Sequence, residues 1–566
     1  MDKGLIKKIS YDKLEKYWEI SVFPNYLNGH VACRRHHHTW QAITYWYKKV
    51  FHRNLKITFL SAFVTGLLAH LFMLTNVLHN YDSITQVPGG VGTSLSSGRW
   101  LLMYIENFQN KFWATYTVPF FQGLLTILLL SVAACLVTSM FQIQDTLNCI
   151  LTGAVMVCFP AVTSTMFFMY TAPHYALAIL FCILAAWLAD KKWYGPVLGI
   201  FLLAGSLGIY QAYLPLTAGL MVLQLIWKLL RKESGWICTV RNGIRDLVIL
   251  GGGVIAYMLI LNLTLKHYQI DLGSYQGINN MGKLSLTELP GLLKGIVLNF
   301  WHLTSQDYCQ INATPVVQKG ILLLGLLSAI LATYFLFAYK RSIMDRVLAV
   351  LLFVMIPFAA DSIEIMCSES DIYTLMLYGM AVIYLVPIIL LELQSDEQMK
   401  VYANKFSASG FSRYLKLICT WGISICLFFI NVNYIWSSNV NYTAMYYADL
   451  ETQEYLASMM TRMRSVEGYT TDAPVAFIGK ISDSSYDKVW GGTPVLYGGN
   501  DSTFINRYSR IRFFNHLLSY NYTEASAEQI AALKKTTEVK EMACYPNDNS
   551  IKMVDGILVV KLKNVK

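Results

Sequence analysis

Charge is what this chain has least of. Only 14% of its 566 residues are Asp, Glu, Lys or Arg, against 55% hydrophobic and 14% aromatic, and its mean hydropathy is positive. A soluble globular domain carries about 25% charged residues, so a soluble enzyme is excluded and the chain reads as a polytopic membrane protein. A basic stripe is also lacking. The formal net charge of +10 comes from Lys and Arg in short clusters between apolar segments, which argues against nucleic acid as a partner and makes these residues topology determinants. No cleavable signal is legible, because the N-terminus MDKGLIKKISYDKLEKYWEI is charged and amphipathic and the first apolar run begins near Leu55. Nor is there an internal repeat of solenoid or transporter period. Ionisable residues inside the apolar segments are scarce too, and both absences weigh against an ion-coupled transporter. A disulfide framework is missing as well. Of 11 cysteines, Cys135, Cys149, Cys158, Cys182, Cys419 and Cys426 sit in apolar segments as small hydrophobes, and Cys309, Cys367 and Cys544, placed outside, have room for one bridge at most.

What is there, in quantity, is long apolar sequence. A helical span needs about 20 apolar residues, and eleven segments approach that: 55–78, 113–140, 148–169, 173–189, 194–208, 211–230, 246–266, 317–338, 347–366, 372–392 and 416–436. The expected fold is therefore a polytopic α-helical bundle of about 11 transmembrane helices. The connections 190–193, 228–245, 340–346 and 393–415 carry most of the Lys and Arg, so the positive-inside rule sets the N-terminus in the cytoplasm and the C-terminus outside. Residues 1–54 read as a cytoplasmic basic and aromatic amphipathic segment. Its run Arg34-Arg35-His36-His37-His38 reads as solvated or facing lipid headgroups rather than holding a metal, since adjacent histidines point apart and no acid is near. Residues 55–436 form the membrane part. Within the loop 267–316, LPGLLKGIVLNFWHLT has helical spacing and is expected along the membrane surface. Residues 437–566 are polar and read as a small extracytoplasmic α/β domain, with helices over 447–465 and 524–535 and strands at 474–479 and 557–563.

This topology gathers the chemistry at one face. Asp82 follows the first span, one helical turn after His79. It reads either as a turn-capping Asp or as a carboxylate whose pKa, raised near a low-dielectric boundary, suits a general base. Arg99 follows SLSSG and precedes Trp100 at the start of an aromatic-rich helix. It reads either as an interfacial arginine or as a guanidinium for a phosphate. The turns YTAPHY and GIYQAY bring His174, Tyr210, Gln211 and Tyr213 to the same surface, as belt aromatics or as a sugar-binding set. Asp361, Glu364, Glu369 and Asp371 form an acidic group on that side. A solvated loop, substrate contacts and a divalent cation are its three readings, and the cation is not favoured.

NYDS after the first span, SGRWL opening the next helix, the LGIYQAYLPL turn, and YADLETQEY, MACYPNDNSI and ILVVKL in the C-terminal part together resemble the type II O-antigen (serotype-converting) glucosyltransferase family. The similarity runs from about 55 to 563, carried by motif order and placement, and leaves residues 1–54 unmatched. The resemblance implies a GT-C type membrane glycosyltransferase of the bacterial cytoplasmic membrane. Its donor would be a polyprenyl phosphate-linked sugar, a hexose and most simply glucose. Its acceptor would be a cell-surface glycan, and no cofactor is required. It further implies that Asp82 is the catalytic base and that Arg99, or a Lys nearby, meets the donor phosphate in an inverting displacement. His79, Trp100, His174, Tyr210, Gln211, Tyr213, Asp361 and Glu364 are the expected substrate contacts. Two other functions stay open on sequence: a flippase for lipid-linked sugars, which would continue its polar path to the inner side, and a surface polysaccharide polymerase, distinguished by its product.

Overall fold

The computed structural model describes residues 52–86, 90, 95–112, 116–191, 194–273, 287–312, 314–367, 371–395, 410–479, 496–499 and 507–564. The chain divides into Met1–Arg53 and Asn54–Lys566. Residues 1–51 lie outside the described set, and with them nearly all of the amphipathic segment expected over 1–54.

The second unit is a bundle built from helices α1 (Arg53–Thr75), α2 (Trp100–Phe112), α3 (Pro119–Met140), α4 (Thr146–Cys158), α5 (Pro160–Phe167), α6 (Ala172–Leu188) and α7 (Tyr194–Ile209). It continues through α8 (Leu214–Arg231), α9 (Trp236–Tyr268), α10 (Leu289–Ser305), α11 (Pro315–Phe337), α12 (Ile343–Ala360), α13 (Val382–Ser395) and α14 (Gly410–Arg464). Each of the eleven apolar segments contains a helix. Among the described residues nine helices are long and apolar enough to cross a membrane, with α4 and α5 counted as one passage; α6 and α7 are shorter, at 17 and 16 residues. In a bilayer every backbone N–H and C=O must be satisfied within the segment, which is why these apolar runs are helices. Local chemistry sets their ends. Asp145 caps α4 by accepting from Leu147 N and Asn148 N. Pro160 has no N–H to continue α4, so Phe159 is extended and α5 starts afresh with Pro160 in its first turn.

Two segments depart from their expected form. Helix α9 begins at Trp236 rather than near 246, because the basic connection is itself helical and Arg245 finds Asp190 and Asp246, each at 2.8 Å. Residues 374–381 form 3₁₀ turns ahead of α13 rather than a straight span. There the Thr374 hydroxyl donates to the Cys309 carbonyl at 2.7 Å and pins the chain to a neighbouring turn.

Contacts between helix ends sort the bundle into two ends. At one, Asn54 Nδ2 donates to Ile143 O at 2.7 Å, Glu392 accepts from Gln144 N and Asn148 Nδ2, Lys228 pairs with Asp190, and Arg341 donates to Leu229 O. Much of the Lys and Arg of the connections lies there. The opposite end carries the loop after α1, the 168–175 and 209–213 turns, the 306–312 turn and residues 361–378.

Helix α14 runs unbroken through the expected boundary at 437. Its 55 residues are about 80 Å at 1.5 Å each, against a bilayer core of about 30 Å, so on the membrane reading its C-terminal half stands beyond the bilayer. A three-stranded sheet packs beside this end, with β1 (Val475–Ile478) parallel to β3 (Ile557–Lys561) and β2 (Ile551–Val554) antiparallel to β3, in the order β1-β3-β2. Strands near 474–479 and 557–563 were legible; β2 was not, although Asp555-Gly556, both at positive φ, is the turn chemistry of a tight hairpin. Three short helices complete the lobe: α15 (Arg507–Arg512), α16 (Ala527–Leu533) and α17 (Thr537–Glu541). Alternation sorts the sheet's side chains. Val475, Phe477, Leu558 and Val560 face a core with Leu456, Met459 and Met463 of α14, while Ala476, Ile478, Ile557 and Val559 face Leu533 and Val539. Ile84, from the loop after α1, is fully buried in the first of these cores. All described cysteines, Cys309, Cys367 and Cys544 included, are unpaired.

Candidate functional site

The loop after α1 owes its shape to Asn80. The Asn80 side-chain oxygen accepts from Asp82 N at 3.0 Å and Ser83 N at 2.7 Å, and Ser83 Oγ accepts from Asn80 N at 2.7 Å. This is the Asx geometry that Asn adopts at turns, and it starts the 3₁₀ turn Ser83–Gln86. Asn80 supplies a turn-capping oxygen here, and the Asp82 carbonyl accepts from Thr85 N and Thr85 Oγ1. Asp82 is half-buried. His79 faces α14, with Nδ1 3.5 Å from Asp449 Oδ1, both side chains buried.

Arg99 is held from the other side. A 3₁₀ turn over Leu95–Ser97 and Gly98 at φ 75° lead into α2. Two of the carbonyls in this turn are bound by groups from the bundle: Gln211 Nε2 donates to Ser97 O at 2.9 Å, and Tyr257 OH donates to Gly98 O at 3.2 Å. Gln211 Nε2 also donates to Tyr257 OH at 2.9 Å, tying the two together. The Arg99 guanidinium sits 5.2 Å over the Tyr210 ring. Tyr210 stacks on Tyr175 at 4.5 Å and meets the fully buried Tyr213 edge-on at 5.2 Å. Trp100 lies against Gly208, where a Cβ would come within 2.5 Å of the indole. Arg99, Trp100, Tyr210, Gln211 and Tyr213 thus come together. His174 lies on the same helix as Tyr175, and its Nε2 accepts from Gln109 Nε2 of α2 at 3.1 Å.

The acidic group divides. Asp361, fully buried, accepts from Asn299 Nδ2 at 3.0 Å and from the Tyr308 hydroxyl at 3.4 Å; Glu364 accepts from the same Asn299 amide at 3.2 Å. Burial pushes the Asp361 carboxyl up to about 7, helped by the Glu364 charge and opposed by the Asn299 and Tyr308 hydrogen bonds. Asp371 is exposed, and Glu369 lies outside the described residues. Among the described residues no three His, Cys, Asp or Glu side chains come together in a metal-holding group.

A second aromatic cluster lies beside the loop after α1. Tyr497, between β1 and α15, stacks on Tyr373 at 4.1 Å and on Phe168 at 6.0 Å, and meets Tyr81 edge-on at 6.5 Å. Tyr81 also meets Phe168 at 6.5 Å. Phe168 opens the turn into α6, whose Tyr175 carries Tyr210 beneath Arg99. Beside Asp361, a cavity of about 580 Å³ lies between α10, α11, α12 and α13, lined by apolar side chains such as Phe300, Leu303, Leu324, Phe353 and Ile383. Pro357 lines it too, and the Pro357 carbonyl accepts from Asp361 N at 3.0 Å. Leu322, Leu326, Val350 and Val354, also on its wall, are about half exposed, so it opens on the lipid-facing side of the bundle.

Sequence reasoning missed Asn80, Asn299, Tyr257, Asp449 and Tyr497. Asn80 was legible, since Asn two residues before an Asp and three before a Ser is an Asx-turn pattern. Tyr497 carried no signal, being some 400 residues from the loop it touches. The sequence model of the family described as Glucosyl transferase GtrII matches residues 71–384, more than half of the chain, and covers the loop after α1, the Arg99 turn and the acidic pair. No curated protein and no solved structure matches.

Proposed function

Because the chain belongs to the Glucosyl transferase GtrII family, and is on that ground a glucosyltransferase, we propose that it moves glucose from a polyprenyl phosphate to a surface glycan of the O-antigen kind. The reaction takes place on the extracytoplasmic face of the bacterial cytoplasmic membrane and inverts the anomeric centre. The observation that carries this reading is that a half-buried carboxylate, Asp82, and a guanidinium, Arg99, lie at the same end of an apolar bundle, each beside packed aromatic rings.

Asp82 takes the proton of the acceptor hydroxyl as its oxygen attacks the anomeric carbon. The bond from that carbon to the phosphate oxygen breaks and the polyprenyl phosphate leaves with the electron pair. Arg99, fixed through the Ser97 and Gly98 carbonyls, offsets the charge that grows on the phosphate. The leaving group is already a stable anion, so no general acid is needed. Tyr81, half-buried beside Asp82, offers a ring for stacking a pyranose face, while Tyr210, packed between Tyr175 and Arg99, holds the guanidinium in place. The lipid-facing cavity next to Asp361 suits a run of isoprene units, as it is apolar and accessible from the bilayer.

The test is transfer by the purified protein from synthetic polyprenyl-phosphoryl glucose, followed by release of polyprenyl phosphate. Asp82→Asn should fold and lose on the order of 10²–10⁴-fold in kcat, the usual contribution of a general base. A folded variant that transfers at the wild-type rate would remove Asp82 from the mechanism.

A further inference from the structure

All four hydrogen-bonding positions of one buried amide are occupied beside Asp82. Asn80 is 1% exposed. Its oxygen accepts from Asp82 N and Ser83 N; its Nδ2 donates to Phe167 O at 3.3 Å and to Gly498 O at 2.9 Å. The acceptor side fixes the backbone of Asp82. The donor side fixes that turn to two unrelated parts of the chain, the end of α5 and residues 496–499, which lie between β1 and α15 in sequence.

The segment Leu496–Gly499 is itself firmly held. Leu496 N donates to Asn441 Oδ1 of α14 at 3.0 Å, Ser164 Oγ donates to Tyr497 O, and the Tyr497 ring stacks on Tyr373. Gly498 has φ 89°, a conformation that favours glycine, and a Cβ there would lie 2.5 Å from Phe168 Cε2 and 2.8 Å from Cζ. The carbonyl that receives Asn80 therefore sits where no side chain fits. A second tie runs from the same loop: Ile84 fills the core between α14 and the sheet.

We infer that Asn80 is a positioning residue for Asp82 and that the strap Leu496–Gly499 is the part of the C-terminal lobe that locks it. The lobe is then part of the catalytic apparatus, and the carboxylate is aimed by residues more than 400 positions away. This rests on Asp82 being the base. A carboxylate shifted by about 1 Å loses on the order of 10²-fold in rate, while the donor, held elsewhere, binds as before.

The experiment compares Gly498→Ala, Asn80→Ala and Asn80→Asp with the wild-type protein and Asp82→Asn, using polyprenyl-phosphoryl glucose as donor. Asn80→Asp keeps both acceptor contacts and removes both donors, so it separates the turn from the strap. The expected result is a fall in kcat on the order of 10²-fold for Gly498→Ala and Asn80→Ala, with an intermediate loss for Asn80→Asp. Donor KM should change less than about twofold, and the acid limb of the kcat pH profile should move in Gly498→Ala. A merely structural role would lower the yield of folded protein and leave kcat per folded molecule and the pH profile unchanged. Should Gly498→Ala not be recovered folded, Asn80→Asp carries the test through the same two readouts. If Asp82→Asn is inert and the other variants keep wild-type kcat and pH profile, the positioning inference alone is overturned. If Asp82→Asn transfers normally, the base assignment fails and the inference falls with it.

Discussion

Asp82 and Asp361 are carboxylates at the same end of the bundle in different surroundings. Asp82 is half-buried on a turn whose capping is done by Asn80, while Asp361 is fully buried and bonded to Asn299 and Tyr308. For Asp361 the consequence is thermodynamic. Its folded carboxyl holds a proton up to about pH 7, against an ordinary value of 3.8. Between those values the folded state binds more protons than the unfolded one, so stability falls as pH rises and the loss is complete above about 7. Thermal unfolding of the purified protein should therefore show a lower midpoint at pH 8 than at pH 5 from this group, and Asp361→Asn should flatten that slope. A slope unchanged in the variant would mean that another group titrates there.

The start of α2 is positioned by contact with α7 and α9 rather than by its own sequence. Trp100 needs the bare backbone at Gly208, and Tyr257 and Gln211 bind the carbonyls just before Arg99. Gly208→Ala forces the indole away and should cost about 1–3 kcal/mol, as overpacking does, with a drop in transfer rate because Arg99 moves with α2. Gly251→Ala on the lipid-facing side of α9, where a Cβ meets nothing within 4 Å, is the matched control and should leave both unfolding and activity near wild type. At this scale much was legible. Apolar length located the helices, and SSGRW marked the start of α2. The 3₁₀ turns over 374–381 were not legible, because the bond that makes them, Thr374 to the Cys309 carbonyl, joins parts of the chain that local periodicity cannot connect.

Across the whole molecule the C-terminal lobe and the membrane bundle share a core through Ile84. Removing that side chain's buried carbons costs about 2–5 kcal/mol in a well-packed site. Ile84→Ala should accordingly speed hydrogen exchange over residues 79–86 and lower activity, while the membrane helices keep their protection. Unchanged exchange in the loop would show that Asn80 alone holds it. The positive-inside argument gives a second expectation at this scale. In intact cells a membrane-impermeant maleimide should label Glu528→Cys in the lobe and not Lys340→Cys at the opposite end of the bundle. The reverse pattern would move the site to the cytoplasm.

Composition and apolar run length by themselves determined that this is a helical membrane protein, because a bilayer admits only segments that satisfy their own backbone. The clustering of Lys and Arg determined which ends of the helices lie together, and the short polar turns between spans marked Asp82, Arg99, Tyr210 and Gln211. Only the tertiary structure decided what those residues are fastened to. The amide of Asn80 reaches Gly498, Ile84 enters a core made by α14 and a sheet, and Asp361 is buried rather than solvated. Such contacts span hundreds of residues. They depend on which faces meet when the helices pack, and that choice is made by the summed burial and hydrogen bonding of the whole bundle rather than by any local pattern.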